Sequence, residues 1–132
     1  MARLLAAVLC VCLWPRGAEA GLYSEADDVI LHESVEEFES EVLSGEQFHV
    51  VEFFANWCGG CRMVSPWYKQ AATELKKEGI PLGAVDVDGP AGSLGGRFGV
   101  EGMPHIMAFV PGKKEPVGMG GLGGAVSWRN EL

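Results

Sequence analysis

The segment Trp57-Cys58-Gly59-Gly60-Cys61 constrains this chain more than any other. It follows the apolar run Phe48 to Ala55 and precedes a long stretch of helical periodicity. Two cysteines separated by two residues at the start of a helix have their sulfurs within bonding distance. The unpaired N–H groups of the first turn there favour a thiolate. Such a pair suits thiol–disulfide exchange, although half of a zinc site has the same spacing. The use of the other cysteines decides between the two.

Residues Met1 to Ala20 read as a secretory leader: Arg3 is the basic start, Leu4 to Trp14 the apolar stretch, and Ala18-Glu19-Ala20 an A-x-A cleavage site. The apolar stretch is shorter than the roughly 20 residues a membrane span needs, and no second one follows. Cleavage after Ala20 removes Cys10 and Cys12 and leaves only Cys58 and Cys61. A secreted protein built on disulfides carries more cysteines at wider separations. A closed structural zinc site needs four ligands, and His32, His49 and His105 lack ligand-pair spacing. The surviving pair reads as a redox couple, with no metal and no organic cofactor expected. Gly21 to Leu132 suffices for one domain with its own core. The formal charge of the whole chain is −8, and loss of Arg3, Arg16 and Glu19 makes it one unit more negative. An acidic domain with no basic stripe is a poor partner for nucleic acid or an anionic membrane.

Along the chain, Val29 to Leu31 is a short strand, and Ser34 with Glu37 forms a capping box. Val35, Phe38 and Val42 predict a helix to about Leu43, ending near Gly45. Val50 to Ala55 reads as a central strand buried on both faces. The helix after the cysteines is expected to reach about Glu78, with Pro66 as a kink and Met63, Trp67, Ala71 and Leu75 on its buried face. Leu82 to Val87 is the next strand, parallel to Val50 to Ala55 through a right-handed crossover. A helical turn is expected from Ser93 to Phe98. His105 to Val110 and Glu115 to Val117 flank Pro111-Gly112-Lys113-Lys114, a hairpin signal. A glycine-rich tail follows from Gly118, with a short helix near Ala125 to Trp128.

With these elements in place, the chain resembles the catalytic domain of the protein disulfide isomerase family. Val50-Val51-Glu52-Phe53-Phe54-Ala55-Asn56-Trp57-Cys58-Gly59-Gly60-Cys61 follows the family's V-E-F-x-A-x-W-C-G-H-C, and Gly99-Val100-Glu101-Gly102-Met103-Pro104 follows its G-V-x-G-x-P. The opening Gly21-Leu22-Tyr23-Ser24, with Asp27-Asp28-Val29-Ile30, Lys69-Gln70-Ala71-Ala72-Thr73 and Gly83-Ala84-Val85-Asp86, is similar to the first catalytic domain of one endoplasmic reticulum subgroup. The resemblance covers about Gly21 to Val117. It implies an α/β, thioredoxin-like fold: a central mixed sheet flanked by helices, here with a shortened C-terminal helix. The domain is expected over residues 21–132, its last 14 or so residues a poorly matched tail.

The resemblance also assigns roles. Cys58, nearer the helix start and the more exposed, is the attacking thiolate; Cys61, one turn further in, is the resolving thiol, and the two alternate with a redox-active Cys58–Cys61 disulfide. Glu52, a charged residue in an apolar strand, is implied as a buried carboxylate near Cys61 with a raised pKa, able to relay the proton of the resolving thiol. Trp57 is expected to pack beside the site. Pro104 takes the position of the family's cis-proline, placing the Met103 backbone against Cys58, where an extended client strand can pair.

Three departures qualify the match. Gly60 stands where the family has histidine; without that positive charge the thiolate is less favoured and the couple less oxidising. Gly120-Gly121-Leu122 stands where the family has an arginine that approaches the resolving cysteine. His105 replaces a small hydroxyl residue and reads as an ordinary strand histidine. Gly118-Met119-Gly120-Gly121-Leu122-Gly123 matches G-x-G-x-x-G, but a dinucleotide site also needs a βαβ unit and an acidic residue about 20 positions on. The ending Arg129-Asn130-Glu131-Leu132 is similar to a K-D-E-L retrieval signal.

The resulting expectation is a protein disulfide isomerase or protein-disulfide oxidoreductase in the lumen of the endoplasmic reticulum, with secretion as the alternative. Its partners are unfolded or misoxidised client proteins and a thiol oxidant or reductant such as glutathione; it is expected to be monomeric, without nucleic acid or membrane. A thioredoxin-like reductase, favoured by Gly60, and a redox-weak chaperone or adaptor domain stand as alternative readings.

Overall fold

The structure is a computed structural model that describes residues 21–121. The leader-like segment, the Ala125 to Trp128 helix and the terminal Arg129 to Leu132 lie outside the described residues. Five strands form one mixed sheet in the order β1 (Ile30–Leu31), β3 (Leu82–Asp86), β2 (His49–Phe54), β4 (His105–Phe109), β5 (Val117–Gly121). β2 is central, parallel to β3 and antiparallel to β4, as its nearly unbroken apolar run requires.

Alternation along β2 divides the core in two. Val51 and Phe53 pack with Phe38, Val42, Val85, Leu94 and Phe109 on one face. Phe54 joins Tyr23, Cys58, Cys61, Tyr68 and Ala72 on the other. Glu52 shares the parity of Phe54, so the pleat points its carboxyl toward the cysteine side.

Helix α2 (Gly59–Lys77) covers that side. It ends in a Schellman motif: Gly79 takes φ 75°, its N–H donates to the Lys76 carbonyl at 3.1 Å, and Ile80 N–H donates to the Leu75 carbonyl at 3.0 Å. The buried face of α2 differs from the one periodicity predicts. Cys61, Ser65, Tyr68 and Ala72 are buried, and Ala71 and Leu75 pack partly buried against the core as expected, whereas Met63 and Trp67 are each 74% exposed. The reason is Tyr68, whose hydroxyl donates to the Gly83 carbonyl at 2.7 Å and lies 3.3 Å from that of Val50. Those bonds dock the helix on β2 and β3 in a rotation that carries Met63 and Trp67 outward.

The first helix is also corrected. Ser34 caps it, its hydroxyl accepting from Glu37 N–H at 3.0 Å, but the α-helix α1 covers only Val35–Phe38. Glu39–Leu43 continues as a π-helical turn, closed by Ser44 N–H on the Glu39 carbonyl at 2.9 Å. The short α3 (Ser93–Arg97) forms where the sequence predicts it. The final strand begins later than the expected Glu115 to Val117. It runs Val117–Gly121 and takes Gly118, Gly120 and Gly121 of the glycine-rich tail into pairing with β4, with a register shift between Ile106 and Met107. Among the described residues no helix is long and apolar enough to cross a membrane.

Candidate active site

The cysteine loop is held from three directions before any sulfur chemistry is considered. Asn56 accepts from Leu22 N–H at 2.9 Å and donates to Asp86 at the end of β3 at 3.0 Å. Trp57 donates its indole N–H to Asp88 at 2.6 Å. Arg62 reaches back from α2 to the Asn56 carbonyl at 3.0 Å, and Cys58 N–H donates to the Ala55 carbonyl at 3.1 Å. Trp57 stands at the rim of the site, 67% exposed, with its indole N–H satisfied by Asp88.

Cys58 is the N-cap of α2, and its Sγ accepts from Cys61 N–H at 3.2 Å. This is the position at which unpaired helix N–H groups stabilise negative charge on sulfur. Both cysteines are free thiols, and the order of exposure is the expected one, with Cys58 8% exposed and Cys61 fully buried. The margin is small, so a client sulfur has only the edge of Cys58 to approach. Burial is the main cause that pushes the Cys61 thiol up to about 12; its hydrogen bond with Cys58 and the nearby Glu52 charge act in the same direction.

Glu52 is fully buried in β2. Burial raises its carboxyl to about 7, partly opposed by a hydrogen bond from the Tyr23 hydroxyl to Oε2. Its other oxygen, Oε1, has no partner among the described residues. Desolvation, then the Glu52 hydrogen bond, hold the Tyr23 phenol far above its ordinary range. Tyr23 is the site residue that reading by periodicity misses: it lies 29 residues from Glu52 in an irregular segment, and its ring packs edge-on against Phe54 at 5.0 Å.

The Met103–Pro104 peptide is cis, and the Met103 carbonyl accepts from Cys58 Sγ at 3.7 Å. Met103 thus stands beside the outer sulfur. His105 is a β4 residue opposite Phe53 and Gly121. Gly118 to Gly121 belong to β5, an antiparallel strand rather than a phosphate-binding turn between a parallel strand and a helix.

An N-capping thiol with only its edge at the surface, a fully buried partner one turn inward, a buried carboxyl and a cis-proline loop on a mixed sheet define a thioredoxin-type site. A family model described as Thioredoxin matches residues 29–125, and the chain belongs to that family. Within it, the chain is 45% identical over 96 residues to protein disulfide-isomerase A6 of Homo sapiens, covering 73% of this chain and 21% of the relative. It is 44% identical over 99 residues to the Mesocricetus auratus protein of the same name, covering 75% and 22%. The chain therefore spans about a fifth of the length of these relatives. A solved thioredoxin of Malassezia sympodialis superposes with a TM-score of 0.59 at 28% identity, covering 70% of this chain and 80% of that one. Mitochondrial thioredoxin 3 of Saccharomyces cerevisiae shares the fold, with a TM-score of 0.57 at 20% identity and coverage of 68% and 79%.

Proposed function

We propose that the chain is a thiol–disulfide oxidoreductase and isomerase domain that acts on cysteine-containing client proteins in the lumen of the endoplasmic reticulum. The observation that carries this reading is the Cys58 sulfur at the N-cap of α2, within reach of both Cys61 N–H and the Met103 carbonyl. In the reductive direction the Cys58 thiolate attacks one sulfur of a client disulfide, and the other leaves as a client thiolate. Cys61 then gives its proton to the Glu52 carboxylate, attacks Cys58 Sγ, and releases the second client thiolate as the Cys58–Cys61 disulfide forms. Isomerisation follows when a client thiolate attacks elsewhere before Cys61 resolves the mixed disulfide. Glutathione, or a thiol of that class, returns the pair to its starting state. The Met103 backbone beside Cys58 offers an extended client segment a place to pair.

The lumenal location is supported by the leader-like Met1 to Ala20, by the Arg129 to Leu132 ending and by the similarity to protein disulfide-isomerase A6. The exposed Trp57, Met63 and Trp67 favour a second reading, a domain that binds apolar client segments with little turnover. Insulin reduction and scrambled-ribonuclease refolding separate the two. Cys58→Ser is expected to abolish both activities; equal rates in the variant and the parent would leave only the binding domain.

A further inference from the structure

His32 follows β1 and is buried between the sheet and α1, its side chain fully shielded from water. Among the described residues neither ring nitrogen has a hydrogen-bond partner. That is unusual, because buried polar atoms are nearly always paired. Gly83 sets the ring's position: a Cβ there would lie 2.6 Å from His32 Nε2, so this nitrogen packs against the strand. Nδ1 turns the other way and stands 3.9 Å from Glu41 Oε2.

Glu41 does not stand alone. Glu37 lies one turn before it, and one ligand atom from each of His32, Glu37 and Glu41 falls within 4.8 Å of the others. Two carboxylates spaced i,i+4 repel each other. Among the described residues neither has a lysine or arginine within ion-pair distance. The π-helical turn Glu39–Leu43 contains Glu41. Wide turns of this kind recur at functional sites.

We propose that His32 Nδ1, Glu37 and Glu41 bind one divalent transition-metal ion, with Zn²⁺ as the probe. Ligand atoms around such an ion, at about 2.0–2.2 Å from it, lie roughly 3.3–3.6 Å apart in tetrahedral geometry. The exposed glutamate side chains close the remaining gap by rotation, while the imidazole stays where Gly83 and Phe38 hold it. The ion neutralises the repelling carboxylates and gives the orphaned nitrogen a partner. One imidazole in the set selects zinc, cobalt or nickel over calcium and magnesium, which favour oxygen ligands alone. The site lies on the sheet face opposite α2 and the cysteine pair, so it is independent of the thiol chemistry.

The test is calorimetric titration of Zn²⁺ into the full chain carrying Cys10→Ser, Cys12→Ser, Cys58→Ser and Cys61→Ser, which removes thiol binding. One equivalent is expected per chain, together with a Zn²⁺-dependent rise in Tm. Glu37→Gln and Glu41→Gln change exposed groups that the fold does not need, and each is expected to weaken binding by about tenfold or more. Glu46→Gln is expected to leave it unchanged. His32→Asn, where it folds, is expected to abolish it. Absence of Zn²⁺ uptake, uptake that both glutamine variants retain, or equal affinity for Ca²⁺ would overturn the proposal.

Discussion

Tyr23 donates its phenolic hydrogen to Glu52 Oε2 inside the core, while Oε1 of the same carboxyl has no partner among the described residues. Burial lifts the Glu52 pKa to about 7, and this bond keeps it from rising further. Tyr23→Phe is therefore predicted to shift the Glu52 inflection above pH 7 in the pH profile of mixed-disulfide resolution. Loss of the bond also costs about 1–3 kcal/mol, because both carboxyl oxygens are then unpaired. Stopped-flow resolution rates across pH check the first effect, and an unmoved inflection would refute it.

Glu52 itself makes stability fall as pH rises. Unfolded, its carboxyl releases a proton near 4.5; folded, it holds that proton to about 7. The native state thus binds the extra proton between these values, and stability declines through that window and stays lower above it. Glu52→Gln removes the slope and is predicted to be more stable than the parent at pH 8, by on the order of 3 kcal/mol. The same variant is predicted to resolve mixed disulfides on the order of a hundredfold more slowly. Urea unfolding at several pH values measures the first prediction, and single-turnover kinetics the second.

Gly60 is the second residue of α2, between the cysteines and partly exposed. A histidine there places an imidazolium beside the Cys58 sulfur and favours the thiolate, hence the dithiol form. Gly60→His is predicted to raise the reduction potential by about 20–60 mV, the equivalent of about 1–3 kcal/mol. A redox titration against glutathione reads this directly, and an equal or lower potential would contradict it.

Gly83 has no room for a side chain, since a Cβ would lie 2.6 Å from His32 Nε2 and 2.9 Å from its Cδ2. Gly83→Ala is predicted to destabilise the fold by about 1–3 kcal/mol. The loss is expected to shrink when His32→Ala is also present, because the clash is with that ring. Equilibrium unfolding of the two single variants and the double variant closes the cycle.

Local signals explain why much of this domain can be read before folding. The β2 run, the Ser34 cap, the Gly79 stop and the Pro111-Gly112 turn each depend on neighbours a few residues away, and each forms where expected. The thiol pair is equally local, since three residues of helix bring Cys61 N–H to Cys58 Sγ. The rotation of α2 was not legible. Met63-Trp67-Ala71-Leu75 and Cys61-Ser65-Tyr68-Ala72 both satisfy helical spacing; the Tyr68 bonds to β2 and β3 favour the second set, keeping Ala71 and Leu75 against the core and turning Met63 and Trp67 outward. The same limit hid Tyr23, whose partner is brought to it by the fold alone.

The amino-acid order by itself determined the thiol pair, its place at a helix start and the strand that carries Glu52. These follow from short-range geometry and from burial of apolar runs. The tertiary structure alone decided which face of α2 turns outward, which phenol holds the Glu52 carboxyl, and that His32 meets Glu37 and Glu41. Those outcomes depend on contacts between distant segments, and no periodicity within one segment encodes its rotation against another.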